Sequence, residues 1–284
     1  MFDETSGGTL ITGLLCDRTV RFLAVDARGI AQQVAAFHDL RPSAARVAAE
    51  STVATLLMSA HIKGEERITL QIQSQEPKLA FTADVDAKGG FRGRLTPSRV
   101  RLGPQGQLDG ILFAIKSDTE KELYRGMTEL RRQTIEEALA GYLHSSAQVA
   151  TVLRLGAEVD AERRVQLAGG YLLERLPGPD DQMFVEALEA ITRLPLPDGV
   201  SALIAGEVPD LDVEVLERRD LHWRCSCGQE RIEVLLLQLG RDELAKMLAE
   251  DGRAEVVCHF CNIPYQVGRE RLAELIALHD APAS

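Results

Sequence analysis

Cys225-Ser226-Cys227 and Cys258-His259-Phe260-Cys261 are two closely spaced cysteine pairs, and thirty residues separate them. Cysteine thiolates suit zinc, which accepts four soft ligands in a tetrahedron with each sulfur about 2.3 Å from the metal. The Cys-x-x-Cys turn offers two thiolates, and the Cys-x-Cys segment offers two more. The pattern therefore predicts one zinc site, with the ligands Cys225, Cys227, Cys258 and Cys261.

Two other interpretations of the cysteine pairs compete with a redox-active zinc site. Thioredoxin-like chemistry is disfavoured because neither pair follows a βα unit with a helix starting at its first cysteine. A purely structural zinc ribbon is the stronger competitor, although ribbons usually carry two Cys-x-x-Cys turns. A disulfide between residues two apart closes a strained ring, and strained disulfides are the labile ones. The Cys-x-Cys spacing thus favours reversible oxidation, and the structural role stays open.

The cysteines lie in a predicted C-terminal zinc domain, residues 225–284, that is small enough to need a metal or another staple. Its patterns predict three helices, at 229–239, 241–250 and 269–278, and two short strands, at 254–257 and 265–267. Zinc binding contributes on the order of 10–16 kcal/mol to the folding of small domains. Loss of the ion is therefore expected to unfold this one.

A helical linker is predicted over residues 177–224. The Pro-Gly-Pro sequence that begins at Pro177 breaks helix and strand and marks the domain boundary. Apolar residues recur at helical spacing, as Phe184, Leu188, Ile191, Val200, Leu203 and Ile204. Helices this short are marginal alone in water, so their stability must come from docking their apolar faces.

Residues 1–176 predict an α+β domain built on antiparallel strands. Period-two alternation over Arg67–Gln73 indicates a strand, and the apolar residues of the Ala-rich segment 43–61 recur at helical spacing. Further strands are predicted at 20–25, 79–85, 90–95 and 111–116, a helix at 134–143, and strand or mixed structure at 147–155 and 165–176. The fold class is therefore α+β: a mixed sheet-and-helix domain, a helical linker and a small four-cysteine zinc domain.

Charge and hydropathy exclude several classes of partner. The formal net charge of the 284 residues is -11, and the linker holds 11 acidic but only 4 basic side chains. Such acidity argues against binding nucleic acid, which needs a basic surface. No apolar run approaches the roughly 20 residues that span a bilayer, and no secretory signal is evident. We expect a cytoplasmic protein with no membrane partner.

The remaining candidate residues carry weaker signals. Cys16 follows two leucines and is predicted to be a buried small hydrophobe. His259 lies inside a cysteine turn but is not needed as a ligand, since four thiolates fill a tetrahedron. Arg224 and His222 either offset the negative charge of the thiolates or are surface residues. Because no serine-histidine or carboxylate constellation is evident, the chain is not expected to be an enzyme.

Several segments resemble one protein family. The Cys-x-Cys, thirty-residue gap, Cys-x-x-Cys ending is similar to the signature of the 33 kDa chaperonin, or heat shock protein 33, family of redox-regulated chaperones. Further segments resemble the typical sequence of that family: Glu250-Asp251-Gly252, Cys258 to Asn262, 68–71, 124–126, 142–148 and 168–170. The resemblance covers nearly the whole chain.

This resemblance implies a two-state holdase. In the reduced form the four thiolates bind zinc and the protein is inactive. Oxidants convert Cys225–Cys227 and Cys258–Cys261 into disulfides, zinc leaves, and the linker unfolds to expose a surface for unfolded client proteins. Active members are dimers, so a homodimer is expected after oxidation. The alternative is a constitutive protein-interaction module with a purely structural zinc site.

Overall fold

The structure is a computed structural model that describes residues 7–59, 62–119, 121–147, 150–177 and 182–280. The chain divides into two compact units, Met1–Arg224 and Cys225–Ser284. The architecture is α+β, which confirms the predicted fold class. None of the helices in the described ranges is long and apolar enough to cross a membrane.

The first unit is built on one ten-stranded sheet. Its strands are β1 (Gly8–Leu15), β2 (Val20–Asp26), β3 (Arg67–Glu76), β4 (Lys78–Asp86), β5 (Gly90–Thr96), β6 (Leu108–Ser117), β7 (Glu122–Gln133), β8 (Thr151–Val159), β9 (Val165–Arg175) and β10 (Val213–Trp223). Across the sheet they follow the order β7-β6-β3-β4-β5-β10-β1-β2-β9-β8. All neighbouring strands are antiparallel except β10 and β5, which are parallel.

Helices α1 (Arg28–Phe37), α2 (Pro42–Met58) and α3 (Ile135–Ala147) share one apolar cluster with the sheet. Almost all of α2 is buried, because its many alanine, serine and threonine side chains let neighbouring backbones approach closely. Its buried hydroxyls stay satisfied, since Ser51, Thr52 and Thr55 each donate to a carbonyl one turn earlier at 2.7–2.8 Å. The predicted helix over 43–61 is thus confirmed through Met58, and His61 lies outside the described residues.

The predicted linker holds two helices and one unexpected strand. Helices α4 (Gln182–Thr192) and α5 (Leu196–Ala205) confirm the helices predicted from the apolar spacing, and residues 178–181 lie outside the described residues. The last part is a correction, because residues 213–223 form β10, which pairs with β1 along its length. All but one of its side chains from Val213 to Leu221 are exposed or half-buried, so the segment shows no apolar alternation from which a strand could be predicted.

Helices α4 and α5 cover a second apolar cluster on the sheet. Strands β1, β2 and β9 contribute Ile11, Leu15, Val20, Phe22, Ala24, Tyr171 and Leu173 to it, and the helices contribute Ala187, Ile191, Val200 and Leu203. Cys16 is also buried there, as predicted, at 6% exposure. The linker helices therefore keep one face of the sheet away from water.

The second unit contains α6 (Gln229–Leu237), α7 (Arg241–Glu250), the antiparallel hairpin β11 (Ala254–Val257) and β12 (Pro264–Val267), and α8 (Arg269–Asp280). These elements agree with the sequence patterns to within a few residues. Its core is small, with the buried apolar side chains Ile232, Leu236, Leu244, Ala254, Val267, Leu272 and Leu275. A core of this size leaves room for a cysteine-bound metal to contribute to folding.

Glu50 on α2 makes stability depend on pH. Burial raises the pKa of its carboxyl from 4.5 to about 7, against the nearby positive charge of Arg46. The unfolded chain ionises near the lower value, so raising the pH from 4.5 to 7 lowers the free energy of unfolding. We expect Glu50→Gln to raise that free energy by about 1–3 kcal/mol at pH 8 and to change it little at pH 4.5. Urea unfolding followed by circular dichroism measures the free energy of unfolding, and Glu158→Gln, at an exposed position, serves as control. Equal gains in free energy at both pH values would contradict the role given to the pKa of Glu50.

Candidate metal centre

Each cysteine pair lies in a loop between regular elements. Cys225 and Cys227 lie between β10 and α6, and Cys258 follows β11 directly. The amide of Asn262 donates to the carbonyl of Cys258 at 2.9 Å, and the amide of Cys258 donates to the carbonyl of Ile263 at 3.0 Å. Asn262 takes a left-handed φ of 54°, which asparagine tolerates better than most residues. This turn aims the second pair of sulfurs toward the first.

The four predicted cysteines form one cluster. The Sγ atoms of Cys225 and Cys258 are 3.6 Å apart, those of Cys227 and Cys261 are 3.3 Å apart, and all four lie within 4.8 Å of one another. No pair is bonded, since every cysteine is a free thiol. A zinc–sulfur distance of about 2.3 Å gives a tetrahedron with edges of about 3.8 Å. The cluster could therefore hold a metal ion, and its four soft donors are compatible with zinc.

The surroundings give three of the sulfurs different pKa values. Burial opposes ionisation of Cys258, yet the backbone N–H groups of Cys261 and Phe260 donate to its sulfur, and the pKa of Cys258 is lowered to about 7. Burial raises the pKa of Cys225 to about 11 and also raises that of Cys261. Without a metal, Cys258 is thus the thiol of these three that ionises most readily.

Tyr265 is a neighbour of the cluster that the sequence patterns missed. Its hydroxyl donates to Sγ of Cys227 at 3.0 Å, and this bond raises the pKa of Tyr265. The residue reaches the sulfur because β12 pairs with β11, with Tyr265 opposite Val256. A hydrogen bond to a ligand sulfur fixes its orientation and its share of negative charge.

Tyr265→Phe is therefore expected to weaken zinc binding by about tenfold, the usual effect of losing a hydrogen bond to a metal ligand. The phenyl ring keeps the apolar contacts of the tyrosine, so circular dichroism should stay unchanged. Competition with a chromogenic chelator measures the affinity. Gln266→Ala, which removes an exposed neighbouring side chain, serves as control. Equal affinities for wild type and Tyr265→Phe would show that the hydroxyl does not support the site.

The other candidate residues are not among the clustered ligands. His259 is exposed and is not among the clustered ligands. Arg224 directs its guanidinium to Asp86, with Nη1 and Oδ2 3.2 Å apart, and so compensates a buried carboxylate. His222 is exposed at the end of β10, which agrees with a surface role. Cys16 belongs to the first unit and its apolar cluster.

Comparisons with known proteins agree on one family. The family model described as Hsp33 protein matches residues 8–268. The 33 kDa chaperonin of Bacillus velezensis is 31% identical over 94% of this chain and 97% of its own, and that of Bacillus licheniformis is 32% identical over 94% and 98%. The crystal structure of the 33 kDa chaperonin (heat shock protein 33 homolog) of Thermotoga maritima matches with a TM-score of 0.79 and 25% identity, over 96% of this chain and 98% of that one. The chain therefore belongs to the Hsp33 protein family.

Proposed function

We propose that this protein is a cytoplasmic, redox-regulated holdase that binds unfolding client proteins after its clustered cysteines are oxidised. One combination carries the proposal: a cluster of four free thiols follows directly on a linker whose two short helices cover an apolar sheet face. Family membership supports a chaperone and favours a binding protein over an enzyme. The active form is proposed to be a homodimer, with no role for nucleic acid or membrane.

In the proposed resting form, Cys225, Cys227, Cys258 and Cys261 hold zinc as thiolates. When bound, zinc would tie the two loops together and contribute on the order of 10–16 kcal/mol to folding of the second unit. Hydrogen peroxide would oxidise the thiols in two pairs, Cys225–Cys227 and Cys258–Cys261. Each pair of thiolates gives two electrons to one peroxide as its S–S bond forms; the O–O bond breaks, and with two protons from solvent the peroxide leaves as two waters. A disulfide sulfur is no longer a thiolate ligand, so the loops lose their common anchor.

The linker then provides the response. Helices α4 and α5 are only 11 and 10 residues long, and such helices depend on docking. Undocking would uncover the large apolar side chains Phe22, Tyr171 and Leu173, which are now at most 2% exposed. A contiguous apolar face of this kind binds unfolded chains. The acidic linker would keep the resulting complexes soluble.

The test measures aggregation of a heated client protein with reduced and with peroxide-treated protein. Suppression should rise on oxidation, and a chromogenic chelator should detect about one released zinc per chain, the stoichiometry of one four-thiolate site. Cys16 supplies an internal control, because it is buried beneath the linker and lies outside the two disulfide pairs. Its thiol should react with maleimide only after oxidation. Retained zinc, a protected Cys16 and unchanged suppression would instead favour the constitutive module with a structural zinc site.

A further inference from the structure

Strand β10 joins the two halves of the ten-stranded sheet. On one side it pairs with β1, from Gly8 opposite Leu221 to Leu15 opposite Val213. On the other side it pairs with β5 through His222 and Trp223 only. In the described part of the chain β10 alone connects β5 to β1. Most of β10 is therefore held by the backbone ladder to one neighbour.

Apolar side-chain packing adds little to the stability of β10 in the sheet. Between Val213 and Leu221, only Leu221 is buried, while Val215 and Leu216 are 41% and 51% exposed. The ion pair between Arg18 and Glu214 is also exposed, and exposed pairs contribute little stability. The firm attachment lies at the end of the strand, where Trp223 packs on Phe37 with ring centroids 4.8 Å apart. The segment before it is held mainly by its backbone ladder to β1, together with hydrogen bonds from Arg218 to the carbonyl of Ile204 at 2.9 Å and from Arg219 to the carbonyl of Ser59 at 3.3 Å.

Strand β1 is held far more strongly. Its other edge pairs with β2 from Thr9 to Leu15, and both of its faces are buried, with Leu10 in one apolar cluster and Ile11 in the other. If β10 leaves, β1 stays in place with one row of unpaired backbone groups. The amide of Cys16 donates to the carbonyl of Asp212 at 3.3 Å, so alternation along the strand points the amides of Leu10, Thr12 and Leu14 to the same side.

The β1 edge lacks the usual protection against pairing with other chains. Natural edge strands carry charged side chains or proline, or are very short. The sequence of β1, GTLITGLL, has eight residues with no charge and no proline. Such an edge is tolerated only while something covers it, and β10 is that cover.

We infer that β10 occupies a binding edge for clients, and that undocking of the linker frees β1 to pair with an extended segment of an unfolding protein. The contact would be antiparallel, as β10 is, and would use backbone hydrogen bonds. It would thus accept many sequences and reject segments with proline at positions that must donate to β1. This inference rests on the proposed function and assigns part of its client surface.

A disulfide lock tests whether β10 must leave. Thr9 and Asp220 face each other across the two strands. Because the even-numbered amides of β1 point to β10, this is a non-hydrogen-bonded pair, whose close Cα atoms suit a disulfide. After oxidation, the variant carrying both Thr9→Cys and Asp220→Cys should suppress client aggregation at least about fivefold less than either single variant, because the edge stays covered. Mass mapping should still find both disulfides of the zinc-site cysteines.

Hydrogen exchange shows what replaces β10. In oxidised protein alone, the amides of Leu10, Thr12 and Leu14 should exchange quickly, and a bound client should protect them again. If a bound client leaves these amides unprotected, or the locked variant matches the single variants, the β1 edge is not the client site and the holdase proposal still stands. If oxidised wild type does not suppress aggregation at all, the holdase proposal itself fails.

Discussion

Cys261→Ser is expected to abolish zinc binding and to unfold residues 225–284. Cys261 is 4% exposed and lies 3.3 Å from the sulfur of Cys227, so its loss opens the cluster at its most buried corner. A serine hydroxyl does not replace a thiolate as a ligand. Zinc binding contributes about 10–16 kcal/mol to folding, and the small core of the unit cannot replace the larger part of that free energy. Zinc content per chain and the helical circular dichroism signal should both fall.

The matched control is Cys16→Ala, which removes the fifth cysteine outside the cluster. This variant should keep its zinc and its helical signal from residues 225–284. Under the proposed function, Cys261→Ser should also suppress client aggregation without any oxidant, because the linker has lost the anchor that oxidation would otherwise remove. A Cys261→Ser protein that keeps stoichiometric zinc would contradict the assignment of this residue as a ligand.

Leu203→Ala is expected to undock the linker without touching a cysteine. Leu203 is fully buried where α5 meets the sheet, and truncating a buried leucine costs about 2–5 kcal/mol. A helix of 10 residues has little stability of its own to absorb this loss. Limited proteolysis should cut residues 182–211 faster, and the protein should suppress aggregation at lower peroxide doses.

Val185→Ala on α4 is the matched control for Leu203→Ala. It also shortens an apolar linker side chain, but Val185 is 42% exposed. Its protease sensitivity and peroxide response should stay near those of wild type. If both variants behave like wild type, docking of α5 is not what holds the linker in its resting state.

The predictable parts of the fold are those in which apolar and polar side chains alternate with a regular period. Residues 67–73 alternate because β3 buries one face, and Ile68, Leu70 and Ile72 are indeed buried. The spacing of the four cysteines predicted a cluster, and the fold brings their sulfurs together. Their roles as zinc ligands and disulfide partners stay predictions.

The parts that escaped prediction depend on distant partners. Strand β10 exposes most of its side chains and owes its conformation to the backbone of β1, which lies about two hundred residues away in sequence. The role of Tyr265 follows from the register of β11 and β12, because opposition to Val256 is what carries its hydroxyl to Cys227. Neither the register nor the distant pairing leaves a local pattern.

Trp223 gives the protein a built-in optical probe. It is the single tryptophan of the chain and packs between Phe37 and Phe91 at the end of β10. Indole emission shifts to longer wavelength when water replaces an apolar neighbour. Intrinsic fluorescence excited at the indole band therefore reports on this strand end alone. The time at which the end of β10 leaves the sheet can thus be measured in an unlabelled protein and compared with the times of thiol loss and client binding.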